Sequence, residues 1–136
     1  MARRIEAYVD TSAFIAFADR SDTHHALFRR LFAAPPGLLT TTLVVAEGHG
    51  WFLKRYDRTR ALQFIGLIEE LTPLQLIEVG SDEQNGGIRM LRTFSDQDLS
   101  LTDAVGLHVM QMHRVRQCWS TDRHLGLTGV PLVAGR

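Results

Sequence analysis

Short apolar runs of strand type alternate with segments of helical periodicity along this chain, and this alternation limits the possible folds most strongly. Strands are predicted at 5–9, 38–41, 74–79, 115–120 and 130–133. Helices are predicted at 13–18, 22–32, 42–56, 58–71, 81–94 and 102–113, with a short helical turn at 122–127. Strands that alternate with helices indicate an α/β protein, a three-layer α/β/α sandwich around a mostly parallel central sheet.

Two pairs of glycines weaken the helical pattern. Gly86 and Gly87 make the first half of the helix at 81–94 doubtful, because glycine is a poor helix former. Gly48 and Gly50 interrupt the helix at 42–56 in the same way. The second pair either lets another part of the backbone approach closely or loosens its helix.

Length and composition predict one domain over residues 1–136. The chain has 136 residues, of which 45% are hydrophobic, so one core suffices. The single cysteine, Cys118, excludes an internal disulfide and a cysteine-based zinc site, and its apolar surroundings predict a buried thiol. No apolar run reaches the roughly 20 residues that cross a bilayer, and no signal peptide is evident. We therefore expect a cytoplasmic protein without a membrane partner.

Two carboxylates follow predicted strands, and two more lie in predicted helices. Asp10 comes after the first strand and Asp122 after the fourth, so both are expected at the sheet edge where α/β proteins bind ligands. Glu47 lies in an apolar helical segment, where a charge is costly without a partner. Asp103 opens a helix. Taken alone, Asp103 is explained equally well by the helix dipole, and Asp122 by capping of the following turn.

If these four carboxylates converge, their repulsion must be relieved by protons or by a cation. Oxygen ligands favour Mg²⁺ or Mn²⁺ over zinc. Such an ion neutralises a phosphodiester, orients an attacking water and stabilises the leaving oxygen, so no covalent nucleophile is required. The acids therefore predict a metal site that cuts phosphodiester bonds.

The segments around these acids resemble the PIN-domain family and, within it, the VapC-type toxins of prokaryotic toxin–antitoxin pairs. The blocks are YVDTS at 8–12, TTLVVAE at 41–47, DQDLSLTDA at 96–104 and STDRHL at 120–125. They occur in the family's order and at its usual spacing over nearly the whole chain. Each block is short, so the specificity comes from the occurrence of all four together.

The resemblance implies a Mg²⁺- or Mn²⁺-dependent endoribonuclease with water as the nucleophile. By position, the metal-binding acids are Asp10, Glu47, Asp103 and Asp122, with Asp122 ranked last as a direct ligand. The expected products carry a 5′-phosphate and a 3′-hydroxyl.

The resemblance also assigns supporting residues and partners. Thr11 and Ser100 occupy positions where the family keeps a hydroxyl that supports the acids, and Asp96 matches a position beside the direct ligands. The family implies a homodimer that is inhibited by a cognate VapB-type antitoxin, whose C-terminal segment enters the cleft. The antitoxin often blocks this cleft with a basic side chain.

Basic residues around the last acid are possible RNA contacts. Arg114, Arg116 and Arg123 are expected near the acidic end, although a solvated surface role remains the alternative for each. His124 follows Asp122 closely, and helix packing is favoured for it over an RNA contact.

Two other enzyme classes fit poorly. A haloacid-dehalogenase-like phosphatase requires a second acid two residues after Asp10, where this chain has Ser12. A receiver domain requires a late lysine, and the only lysine is Lys54. Two further readings stay open: a housekeeping RNA-processing nuclease, and a PIN fold that mainly binds protein through apolar residues. The apolar residues considered for a dimer or antitoxin surface are Trp51, Phe52, Phe64 and Leu67, for which packing in the core is an equally good explanation.

Overall fold

The computed structural model describes residues 4–134, in which five strands form one parallel sheet. The strands are β1 (Ile5–Val9), β2 (Gly37–Thr41), β3 (Leu74–Ile77), β4 (Gln117–Trp119) and β5 (Leu132–Val133). Their order is β3-β2-β1-β4-β5, and each neighbouring pair is parallel. The predicted parallel sheet is therefore confirmed, with β1 at its centre. The first three and last two residues of the predicted domain lie outside the described residues.

Helices cover both faces of the sheet. They are α1 (Thr11–Ala18), α2 (His25–Ala33), α3 (Thr42–Arg55), α4 (Arg58–Glu70), α5 (Ser81–Thr93) and α6 (Leu101–His113), with a 3-10 turn at Arg123–Gly126. Because crossovers between parallel strands are right-handed, α1 to α4 cover one face and the packed pair α5 and α6 covers the other. The predicted three-layer α/β/α sandwich is thus confirmed. Within the described part, no helix is both long and apolar enough to span a bilayer.

Three predicted strands are shorter in the structure, because their ends bond to other partners. The backbone N–H of Val79 donates to Thr42 Oγ1 at 3.1 Å instead of extending β3. The N–H of Val115 donates to the carbonyl of Met110 at 3.3 Å and completes the turn after α6. Pro131 lacks an N–H, and β5 begins only after it.

Aromatic packing holds α1, α2 and β4 together on one face of the sheet. Phe14 stacks on Phe32 with 5.6 Å between ring centroids, and Phe32 meets Trp119 edge to face at 5.0 Å. Trp119 pairs with Val9 across β1 and β4. Its neighbour Cys118 is buried, and burial raises the pKa of the thiol, so the predicted core thiol is confirmed. This cluster fixes the strand ends from which the site is built.

The glycine pair in α5 does not interrupt the helix, contrary to the doubt raised by the sequence. A Cβ atom on Gly86 would overlap the ring of His108, and one on Gly87 would overlap Val105. These glycines are buried in the surface on which α6 packs. Their small size therefore sets how closely α6, which carries Asp103, approaches α5.

The two glycines of α3 have different surroundings. A Cβ atom on Gly48 would overlap the buried ring of Phe64 in α4, whereas Gly50 faces open space. Gly48 therefore permits a close approach, as one of the two alternatives expected. The group that approaches it is the side chain of Phe64 rather than another part of the backbone.

We predict that Gly48→Ala lowers the free energy of unfolding by about 1–3 kcal/mol, because the buried Phe64 ring must move to admit a methyl group. Gly50→Ala should raise it by up to about 1 kcal/mol, since alanine is the better helix former and meets no neighbour there. Urea unfolding of both variants beside the parent chain measures the two changes. Equal effects at the two positions would contradict this packing.

Candidate metal centre

The carboxyl ends of β1, β2 and β4 lie side by side, and each leads into a segment with an acid. Asp10 follows β1, Glu47 lies in the helix after β2, and Asp122 follows β4. After β3 the chain crosses back over β1 to enter β4, so the strand order reverses between β1 and β4. Open α/β sheets bind ligands at such a point. Asp103 in the first turn of α6 comes to the same edge, because α6 runs back from this edge to the start of β4.

Two hydroxyls hold the buried carboxylate of Asp10. Ser12 Oγ at 2.8 Å and Ser120 Oγ at 3.0 Å both donate to Oδ2. Ser12 also accepts the N–H of Thr121 at 3.0 Å, and Ser120 accepts that of Asp122 at 2.9 Å. The segments after β1 and β4 are therefore tied together around Asp10. Sequence reasoning missed both serines, because the only signal was that each follows a strand end.

Burial also controls the protonation of Asp10. It raises the pKa of the carboxyl above its ordinary value, and the negative charge of Glu47 adds to this increase. The hydrogen bonds from Ser12 and Ser120 act in the opposite direction because they favour the ionised form. The hydroxyls thus keep a desolvated acid closer to its ionised state.

The structure corrects the reason for selecting Glu47. Its apolar neighbours in sequence predicted a buried charge, but Glu47 is exposed to solvent. The buried positions of α3 are Val44, Gly48 and Phe52, which recur every four residues and leave Glu47 beside the buried stripe. Glu47 nevertheless acts on the site, because its charge raises the pKa of Asp10.

Asp103 lies half-buried in the first turn of α6, where Ser100 caps the helix. Ser100 Oγ accepts the Asp103 N–H at 3.1 Å. Burial raises the pKa of the Asp103 carboxyl to about 7, while a hydrogen bond between this carboxyl and the Ser100 side chain opposes the increase. The charges of three other acids add to the increase: Asp10, Asp122 and Glu47. Near neutral pH, a sizeable fraction of the metal-free protein therefore carries a proton on Asp103.

Asp122 and His124 lie in the turn after β4. Asp122 Oδ1 accepts the His124 N–H at 3.0 Å, so Asp122 caps this turn. Capping was the alternative to a metal-binding role that the sequence offered for Asp122. The same oxygen lies 3.2 Å from His124 Nδ1. One oxygen each of Asp103 and Asp122 and one ring nitrogen of His124 all lie within 4.8 Å of one another. Asp122, ranked last from the sequence, is therefore adjacent to Asp103.

Among residues 4–134, the four acids form no ion pair with an arginine or a lysine. The donor set is rich in carboxylate oxygen, and burial, followed by repulsion from the other acids, raises the pKa of Asp103. Oxygen donors that repel one another fit a divalent ion such as Mg²⁺ or Mn²⁺.

The side chains of the remaining supporting residues, Thr11 and Asp96, make no hydrogen bond to the acids within the described residues, although the backbone of Thr11 hydrogen-bonds the Asp10 carboxyl and lowers its pKa. Thr11 is buried, and its hydroxyl has no hydrogen-bond partner among residues 4–134. Ser12, the next residue, makes the contact to Asp10 instead. Asp96 is exposed in the turn after α5, where its carboxylate forms no hydrogen bond or ion pair within the described residues. A role for Thr11 or Asp96 stays a prediction.

The structure separates the basic residues predicted to contact RNA. Arg123 and His124 lie in the turn at the acidic edge. Arg114 ends α6 and Arg116 precedes β4, so both lie at the opposite edge of the sheet. The 13 residues of α6 span about 20 Å between the Asp103 end and Arg114. The expectation that Arg114 and Arg116 lie near the acids is therefore wrong.

Asp19 is a second buried acid, and it contrasts with the site. Burial acts to raise its pKa, but hydrogen bonds from Ser21 and Tyr56 and the charge of Arg60 outweigh this, so the pKa lies below its ordinary value. Ser21 Oγ donates at 2.8 Å and Tyr56 Oη at 2.9 Å. Asp19 therefore joins the ends of α1 and α3 as a structural acid.

The sequence of this chain matches a known protein family. The family model of the PIN domain matches residues 7–128. The chain belongs to the PIN-domain family. This PIN domain is 26% identical over 124 residues to the 23S rRNA-specific endonuclease VapC20 of Mycobacterium tuberculosis, a match that covers 90% of this chain and 93% of that protein.

Solved structures of toxins share the fold of this PIN domain. The crystal structure of Mycobacterium tuberculosis VapC20, a sarcin–ricin loop cleaving toxin, superposes with a TM-score of 0.85 at 22% identity, covering 96% of this chain and 99% of that one. A toxin–antitoxin complex from Klebsiella pneumoniae gives a TM-score of 0.63 at 19% identity, covering 94% and 96%. The resemblance to VapC-type PIN domains that the four sequence blocks indicated is thus confirmed.

We predict that the metal-free PIN domain loses stability as the pH rises from 3.8, the ordinary pKa of Asp103, to its folded value of about 7. A raised folded pKa means that the folded state binds the proton more tightly, so the stabilisation is complete at low pH and disappears as the proton leaves. Asp103→Asn should remove much of this slope. Urea unfolding in a chelator at about pH 5 and about pH 8 measures it.

The matched control is Asp98→Asn, which changes an exposed acid in the loop before α6. This variant should keep the slope of the parent chain. A slope that survives in Asp103→Asn would show that Asp103 is not the acid with the raised pKa.

Proposed function

We propose that this PIN domain is a divalent-metal-dependent endoribonuclease that acts as the toxin of a toxin–antitoxin pair. One observation carries the proposal: four acids lie at the edge where the strand order reverses, three of them raise the pKa of the fourth, and none pairs with an arginine or lysine among residues 4–134. The acids are Asp10, Glu47, Asp103 and Asp122. The likeness to an rRNA endonuclease supports RNA as the polymer that is cut.

The acids would differ in their tasks. Asp103 and Asp122 have oxygens within 4.8 Å of each other, which is close enough to share one ion. Asp10 is held in place by two serines, so it supplies a carboxylate that needs little reorganisation. Glu47 is exposed and can meet a ligand that arrives from solvent. Bound Mg²⁺ or Mn²⁺ would supply Lewis acidity that neutralises the phosphodiester and orients a water.

Proton release from Asp103 would accompany assembly of the site. Its pKa of about 7 means that a sizeable fraction of the metal-free protein carries a proton there at neutral pH. Ligation requires the ionised carboxylate, so cation binding becomes weaker as the pH falls. The Ser100 side chain also hydrogen-bonds the Asp103 carboxyl, which lowers the pKa of that carboxyl and so favours the ionised form.

Ribosomal RNA is the substrate class that we propose. VapC20, which matches 90% of this chain, is specific for 23S rRNA, and its solved structure is that of a sarcin–ricin loop cleaving toxin. Arg123 lies exposed at the acidic edge, where it can contact a phosphate of the bound RNA. The expected products carry a 5′-phosphate and a 3′-hydroxyl.

A VapB-type antitoxin and a second copy of the chain are the proposed protein partners. The Klebsiella pneumoniae structure is a toxin–antitoxin complex, which supports an antitoxin for this protein. Of the apolar residues considered as a partner surface, Phe52 and Phe64 are core residues and are excluded. Trp51 and Leu67 are only partly buried and remain available.

We predict that the purified protein cuts RNA only with Mg²⁺ or Mn²⁺, and that Asp10→Asn and Glu47→Gln each lower the rate at least about 100-fold. Both changes remove a negative charge without a change in size. Because Glu47 is exposed, its replacement leaves the core intact, and a loss of activity reports on the site. Cleavage of labelled RNA with metal titrated against a chelator measures the rates.

Glu69→Gln is the matched control, because Glu69 is an exposed acid of α4. It should cut RNA at the parent rate. Full activity of Asp10→Asn, or cleavage in excess chelator, would sink the metal-nuclease proposal.

We predict that expression of the chain arrests growth, with new 5′-phosphate ends concentrated in 23S rRNA. Sequencing of 5′ ends before and after induction measures this, and the Glu47→Gln variant supplies the background. Co-expression of the product of the adjacent gene should restore growth. An active enzyme that leaves growth normal would instead favour a housekeeping RNA-processing nuclease.

A further inference from the structure

The turn after β4 places an imidazole inside the group of acids. His124 contributes one ring nitrogen to a set with Asp103 and Asp122 whose three donor atoms all lie within 4.8 Å of one another. Its side chain is only 22% exposed. All three residues are partly buried.

The backbone fixes the position of His124 relative to Asp122. The His124 N–H donates to Asp122 Oδ1 at 3.0 Å, and His124 Nδ1 lies 3.2 Å from that same oxygen. Two ligands at right angles around an ion, each about 2.1 Å from it, are about 3 Å apart. The separation of Nδ1 and Oδ1 therefore matches that of neighbouring ligands.

We propose that His124 is a nitrogen ligand of the ion that Asp103 and Asp122 hold, and that it makes the site select Mn²⁺ over Mg²⁺. The inference rests on the proposed metal-dependent function and adds a ligand to it. Imidazole suits transition metals, whereas Mg²⁺ prefers oxygen and keeps its waters. A site with only carboxylates would lack this basis for discrimination.

A second role for His124 would be that of a resident cation paired with Asp122. The two roles predict opposite changes when the ring is replaced by an amide. Loss of a ligand weakens the binding of Mn²⁺ more than that of Mg²⁺. Loss of a competing positive charge strengthens the binding of both ions or leaves it unchanged.

The first test titrates the RNA-free protein with Mn²⁺ and with Mg²⁺ by calorimetry. His124→Gln and His124→Asn should weaken Mn²⁺ binding about 10-fold or more, and Mg²⁺ binding by less than about 3-fold. His113→Gln, at the exposed far end of α6, is the matched control and should bind both ions like the parent chain. Equal losses for the two ions, or tighter binding of either, would overturn the proposal.

The second test reads the ligand directly in the parent chain. Pulsed electron paramagnetic resonance of Mn²⁺ bound to the parent chain should show coupling to a ¹⁴N nucleus, and the coupling should disappear in His124→Gln. Bound Mn²⁺ without nitrogen coupling would overturn the role of His124 while leaving a metal nuclease intact. Failure of Mn²⁺ to bind at all would overturn both the role of His124 and the metal-dependent function. RNA cleavage that persists in excess chelator would overturn the metal-dependent function itself.

Discussion

The parallel pairing of β1 with β4 is the constraint on which the site depends. It sets Val9 beside Trp119, so that Asp10 and Ser120, the residues that follow, emerge next to each other at the carboxyl edge. Their hydrogen bond and the bond from Ser12 then join two segments that are far apart in sequence. A shift of one residue in this register would turn Ser120 to the other face of the sheet and remove its hydrogen bond to Asp10.

The acids of the site and Asp19 show two ways to bury a carboxylate. Asp19 receives donors from Ser21 and Tyr56, and its pKa lies below the ordinary value, so its charge stabilises the fold. Asp103 has carboxylates as neighbours, and its pKa rises to about 7. The protein therefore gives up stability at the sheet edge, as functional sites commonly do, because unpaired charge is what attracts a cation.

Packing behind the site restricts where its acids can move. Gly86 and Gly87 bring α5 against α6, and the Asp103 end of α6 is capped by Ser100. On the other face, Phe32 and Trp119 fix the end of β4 from which the turn with Asp122 departs. The donor atoms are thus carried by rigid elements rather than by long loops, which limits the reorganisation that a bound ion or a phosphate would require.

The sequence by itself determined the class of fold and indicated the four acids as candidates, because alternating periodicities and four short ordered blocks are local patterns. The position of Cys118 as a core thiol was equally readable. The apolar setting of Glu47 misled, since sequence neighbours on a helix point in different directions. Tertiary structure alone decided three features of the site. It placed the serines that hydrogen-bond Asp10, brought His124 close to Asp103, and put Arg114 and Arg116 at the opposite edge of the sheet. Strand order and helix direction, which bring distant residues together or apart, leave no trace in local sequence.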